Sequence, residues 1–169
     1  MPSAGTVNRA SVDTGAESVT AVDVSASALA QAEENARRNG LQDRIEFVQA
    51  DVFELLTRLE REKCRSYDYI LLDPPAFTKS GATVESAVRG YKEINLKAMK
   101  LLPRGGYLAT CSCSHFMTEE LFRKMLADAA ADACVSLRQL EARQQSPDHP
   151  ILWGVPESSY LKYYLFQVV

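Results

Sequence analysis

The feature that most constrains this chain is the stretch Tyr67-Asp68-Tyr69-Ile70-Leu71-Leu72-Asp73-Pro74-Pro75-Ala76-Phe77, an apolar strand that stops at a carboxylate followed by two prolines. A strand buried in a parallel sheet reads as a continuous apolar run. Proline has no N–H to give to a ladder, so the strand ends at Leu72 or Asp73. That leaves Asp73 at the carboxyl end of a strand, and the crevice beyond such ends is where open α/β sheets hold ligands. A stiff turn closing an ordinary strand is the plainer reading of an isolated D-P-P. The rest of the chain decides between the two.

Residues Met1 to Thr14 are small and polar with no helix or strand period, and they read as a poorly ordered or weakly extended segment ahead of one domain over residues 15–169. Glu17 to Asp23 alternates and ends in an acid, which predicts a strand that delivers Asp23 to its carboxyl end. Ser25 caps the alanine-rich helix that follows, from Ala26 to about Arg38, and Asn39-Gly40 stops it. The pattern then repeats. Ile45 to Val48 is a strand, Asp51 sits just past it, and Val52, Leu55, Leu56 and Leu59 fall at helical spacing through to about Lys63.

After the D-P-P strand comes a polar loop, Thr78-Lys79-Ser80-Gly81, and a helix from about Val84 to Leu102 that Pro103-Arg104-Gly105-Gly106 breaks. Tyr107 to Cys113 is the next strand, and Thr118 caps a helix from Glu119 to about Ala133. Val135 to Glu141 and Tyr160 to Val169 read as the last two strands, joined by a long loop with Pro147, Pro150 and Pro156. Strands alternating with helices mean an α/β domain with a mostly parallel sheet and helices on both faces.

Composition narrows the function classes. A chain of 169 residues with 46% hydrophobic content can bury a core, and its net charge of −3 gives no global attraction to nucleic acid, so an RNA partner needs a local patch or another domain. No run approaches the ~20 apolar residues of a membrane span, and the start lacks the form of a signal peptide, so a cytoplasmic location is the default. Cys64, Cys111, Cys113 and Cys134 show no C-x-x-C spacing, and only two histidines accompany them. Reduced thiols and no metal site are expected.

Taken together and in order, Asp23, Asp51-Val52-Phe53, Asp73-Pro74-Pro75-Ala76-Phe77, Arg89-Gly90-Tyr91-Lys92-Glu93-Ile94-Asn95, Ser112-Cys113-Ser114 and Asp148-His149-Pro150 resemble the catalytic domain of the S-adenosylmethionine-dependent ribosomal RNA large-subunit cytosine-5 methyltransferases. The resemblance runs from about Gly15 to the end. It implies the Rossmann-like class I methyltransferase fold, a seven-stranded sheet with an antiparallel last strand, and ribosomal RNA as partner. By the same resemblance Asp23 binds the ribose hydroxyls of S-adenosylmethionine and Asp51 its adenine amine, with Val52, Asp73 and Pro74 completing the donor site. Cys113 matches the nucleophile of the family.

The chemistry suits those residues. Carbon 5 of cytosine is a poor nucleophile until a thiolate adds at carbon 6, so a cysteine must lie near the methyl donor. Asp73 would hydrogen-bond the cytosine edge, with Pro74 and Pro75 holding the carboxylate and presenting backbone to the base, and Phe77 could stack on it. Arg89 and Lys92, at i and i+3 on one helical face, suit a phosphate or simply a solvated face. Other readings stay open: Cys113 as a small buried side chain, Cys111 as core, Asp23 as a turn residue, Asp51 as a helix cap that can bind as well, Phe77 as core.

One departure from the family lies at the front, where no strand, G-x-G turn and helix precede Asp23. The first strand and glycine-rich turn are expected to be missing, which predicts weak donor binding and exposed sheet edges that favour self-association. The alternative function is therefore a catalytically inactive fragment or interaction module. A nicotinamide dehydrogenase that holds ribose on Asp23 has little support without G-x-G-x-x-G.

Overall fold

The structure, a computed structural model, describes residues 15–63, 67–77 and 83–169. The expectation for Met1 to Thr14 and the loop Thr78-Lys79-Ser80-Gly81 lie outside the described residues. Contacts divide the chain into two compact units, one up to Leu55 and one from Leu56 to Val169.

The first unit pairs β1 (Val19–Asp23) with β2 (Ile45–Gln49) in parallel, joined through helix α1 (Ala26–Arg38). Ser25 caps α1 with its hydroxyl on the Ala28 N–H at 3.2 Å. The helix stops where Gly40 takes φ +68°, which lets Leu41 N–H reach Ala36 C=O at 2.9 Å and Gly40 N–H reach Arg37 C=O at 3.1 Å. Ala36 and Ile45 are its buried centre, with Val19, Ala21, Leu41 and Phe47 packed round them. The helix buries only Ala32 and Ala36.

Helix α2 (Val52–Arg61) leads into the second unit, a four-stranded sheet in the order β3-β4-β6-β5. Here β3 (Tyr69–Leu72) lies parallel to β4 (Tyr107–Ser112), while β6 (Lys162–Val168) is antiparallel to both β4 and β5 (Leu137–Arg143). The antiparallel ending expected from the resemblance is present. Helices α3 (Val84–Leu101) and α4 (Glu119–Asp132) supply the rest of this core. Tyr91, Ile94, Met99, Leu108, Phe122 and Met125 are fully buried or nearly so. Each large apolar side chain withdrawn this way stabilises the fold by about 1.5–3 kcal/mol. The Tyr91 ring meets Phe122 edge-on at 5.9 Å, and Phe122 meets Tyr164 at 6.1 Å.

Two expectations are corrected. The parallel strands do not form one ladder among the described residues, because β1 and β2 make a two-stranded sheet of their own. Nor is β3 buried on both faces: Tyr69 is 44% and Leu71 47% exposed. Successive side chains of a strand point to opposite faces, so Tyr69 and Leu71 share the more open face and Ile70 and Leu72 the more buried one despite an apolar sequence. The opposite edge strand, β5, is protected by a bulge between Gln139 and Glu141 and by charged side chains. The last two strands start two residues later than their sequence patterns suggest.

Candidate active site

Each unit places chemically capable groups at the carboxyl ends of a parallel pair, two acids in the first and an acid with a cysteine in the second. In the first, Ala50 N–H donates to the Asp23 carbonyl at 3.2 Å, so the chain leaving β2 is tied beside the end of β1. The Asp23 carboxylate accepts the Ser25 N–H at 2.7 Å, and Asp51 accepts the N–H groups of Phe53 at 2.8 Å and Glu54 at 3.3 Å. Asp51 is thus the N-cap of α2, and Val52 is its first helical residue. A carboxylate in each place, held by backbone donors beyond neighbouring strands, fits the hydroxyl and amine groups of a nucleoside.

In the second unit the register pairs Leu72 with Thr110, so Asp73 leaves the sheet beside Cys111. The Cys111 thiol donates to the Leu72 carbonyl at 3.3 Å and to Asp73 Oδ1 at 3.1 Å. Cys111 lies in the core as expected, and its polar end also holds the acid of the D-P-P turn. Burial, and then the adjacent Asp73 charge, push this thiol far above the usual range, so Cys111 stays protonated. Cys113 stands just past the end of β4 and is partly exposed. Asp73 and Cys113 therefore leave parallel neighbours at the same end of one sheet.

The residues flanking Cys113 are pinned. Ser112 is buried and its hydroxyl donates to the Tyr91 hydroxyl at 3.1 Å; burial raises the Tyr91 phenol above its ordinary value. Ser114 is buried too, and its carbonyl accepts the Lys162 Nζ at 2.6 Å. Lys162 is only 8% exposed, and burial draws its ammonium below the usual lysine value against the opposing pull of Cys113 and Glu119. A cavity of about 300 Å³ opens alongside, lined among others by His115, Glu119, Gln144, Ser159 and Lys162.

Other expected site residues fall less evenly. Phe77 packs on Tyr91 with ring centroids 4.6 Å apart, which anchors the D-P-P turn to α3. Pro74 is half-buried and Pro75 exposed. Arg89 is exposed, whereas Lys92 is turned to Asp132 on α4, 2.7 Å away. The pair expected to act together on a phosphate is thus divided. Sequence reading missed Lys162, although the alternation of β6 carried a signal: residues 162, 164, 166 and 168 face inward, and a lysine at the head of that row is out of place in a core.

Comparison with known proteins bears on the family and the fold. The model of the methyltransferase domain family matches residues 6–163. The ribosomal RNA large subunit methyltransferase I of Shewanella denitrificans is 45% identical over 94% of this chain and 40% of its own length. That of Aeromonas salmonicida is 48% identical over 88% of this chain and 37% of its own. The chain thus spans about two fifths of the length of these relatives. A solved structure from Streptococcus mutans, described as a candidate S-adenosylmethionine-dependent methyltransferase, superposes with a TM-score of 0.80 at 23% identity, covering 94% of this chain and 40% of that one. NSun6 from Pyrococcus horikoshii gives 0.62 at 20% identity, covering 89% and 41%. The fold is α/β and Rossmann-like, and with a family match that spans nearly all its residues, this chain belongs to the methyltransferase domain family.

Proposed function

We propose that this chain carries the catalytic domain of an S-adenosylmethionine-dependent enzyme that methylates carbon 5 of a cytosine in large-subunit ribosomal RNA, with Cys113 as nucleophile. The observation that carries this reading is the parallel pairing of β3 with β4, which brings Asp73 and the Ser112-Cys113-Ser114 turn to one end of one sheet. Relatives named as ribosomal RNA large subunit methyltransferases support the substrate class. A cytoplasmic setting belongs to the same reading, and no helix among the described residues is long and apolar enough to cross a membrane.

The donor supplies an activated methyl group. Asp23 and Asp51 would bind its ribose and adenine, with Val52 against the base. Addition of the Cys113 thiolate to carbon 6 opens the 5,6 double bond, and the electron pair moves to carbon 5, which takes the methyl group as the donor's sulfur–carbon bond breaks. Removal of the carbon 5 proton then restores the double bond and expels Cys113. Asp73, one oxygen held by Cys111, would accept from the cytosine edge with the other. Pro75 and Phe77 would border the base, and Arg89 would meet a phosphate.

Between the two thiols, burial favours Cys113. Cys111 is closed in and kept neutral, while Cys113 is reachable and sits on a turn fixed from both sides. With unmethylated large-subunit ribosomal RNA and labelled donor, Cys113→Ala should transfer no detectable label while Cys111→Ala retains transfer. Equal transfer by both variants would refute the assignment.

A further inference from the structure

The loop between β5 and β6 does something the site above leaves unused. Trp153 stands on it with its side chain fully open to solvent, flanked by Leu152 at 54% and Val155 at 44% exposure. The loop is nonetheless tightly organised. The Ser158 hydroxyl accepts the Leu152 N–H at 2.8 Å and donates to the Val155 carbonyl at 2.7 Å, and the Val155 N–H donates back to the Leu152 carbonyl at 2.9 Å. Nearer its root, Tyr160 Oη and His149 Nδ1 share a hydrogen bond of 3.1 Å. A fixed loop that turns its indole outward spends apolar surface in water for which the fold itself gains nothing.

Its position gives the reason. Pro156 and Ser159 of this loop form one wall of the cavity whose other walls include His115 and Lys162, and Lys162 holds the carbonyl of Ser114 next to Cys113. We propose that this loop and cavity form a subsite for an unpaired nucleotide flanking the target base, with Trp153 stacking on its nucleobase. The inference rests on the RNA methyltransferase reading. A substrate base held at Cys113 belongs to a continuous strand, and this loop shares a cavity with Lys162, the residue that holds the carbonyl next to that cysteine. A single open indole is a platform for one planar base, and stacking on it tolerates any sequence.

Trp153 is the only tryptophan in the sequence, so it reports on itself. Titrating the full chain with a short single-stranded oligoribonucleotide should quench its fluorescence in step with binding read by anisotropy of a labelled strand. Trp153→Ala should weaken that binding about tenfold and Trp153→Phe should recover most of it. The residue is outside the core, so unchanged thermal unfolding of both variants should accompany these results. RNA binding by anisotropy with no change in Trp153 fluorescence overturns the subsite and leaves the enzyme reading standing. Absence of any RNA binding overturns both. A fluorescence change that follows protein concentration without RNA assigns the patch to self-association and overturns the proposal as well.

Discussion

The acids of the two units are held in place by different means. Asp23 and Asp51 are fixed by backbone N–H groups two or three residues further along the chain, over a small core centred on Ala36 and Ile45. Asp73 is held by a thiol 38 residues away, and the turn that bears Cys113 by a lysine 48 residues away, over a core of large aromatic and aliphatic side chains. A local hold survives as long as its turn does. A distant hold exists only when the whole sheet is assembled. The difference teaches that an acid at a strand end can be fixed by a short segment, whereas placing a thiol-bearing turn at the same end of a sheet as an acid takes long-range packing.

The harshest way to break the comparison is to empty the second core. Phe122→Ala should cost about 3–5 kcal/mol, because the cavity it leaves lies among Tyr91 and Tyr164 and cannot easily collapse. Urea unfolding followed by far-ultraviolet circular dichroism measures it, and a loss under 1 kcal/mol would show that this ring does not organise the unit. Next in size, Lys162→Met removes the charged donor from the Ser114 carbonyl. A buried hydrogen bond to a charged group contributes about 1.5–3 kcal/mol, and methyl transfer should fall with it through kcat, with Lys162→Arg recovering part of the loss. An unchanged kcat would mean the turn keeps its place without the lysine.

Cys111 gives the comparison a pH dependence. Its folded thiol is raised above the unfolded value, so the folded state keeps a proton that the unfolded state sheds. The stabilising effect is complete below the ordinary thiol range near ~8.5 and is lost as pH rises above it, at up to about 1.4 kcal/mol per pH unit. Tyr91 is raised as well and acts in the same direction at higher pH, whereas Lys162, drawn down by burial, opposes it. Stability curves of the native chain and Cys111→Ala at pH 7 to 10 isolate the cysteine: the native curve should fall more steeply, and parallel curves would contradict the account. The smallest effect belongs to the local hold of the first unit. Ser25→Ala removes one cap and should cost about 1 kcal/mol in thermal or urea unfolding, with Asp23 still bound to the residue 25 N–H.

The same division explains what the sequence made legible. Helix caps at Ser25 and Thr118, the Gly40 stop and the acids after β1, β2 and β3 are written in segments a few residues long, and they stand where their patterns put them. Lys162 against Ser114, Tyr91 against Ser112 and Cys111 against Asp73 depend on strand order and register, which no local pattern encodes. The antiparallel place of β6 came from resemblance alone. That β1 and β2 pair with each other in a ladder distinct from that of β3 to β6 among the described residues is not legible, since each strand pattern describes its own faces and not its neighbour.

Cys113 as nucleophile is the claim on which the functional reading turns, and a trapped adduct tests it most directly. An RNA fragment carrying 5-fluorocytidine at the target position has no proton to lose from carbon 5 once methyl transfer has occurred, so the bond between carbon 6 and the attacking sulfur persists. After reaction with S-adenosylmethionine and digestion, mass spectrometry should find the methylated nucleotide on Cys113 and on no other cysteine. An adduct on Cys111, or methylation with no covalent complex at all, would contradict the mechanism.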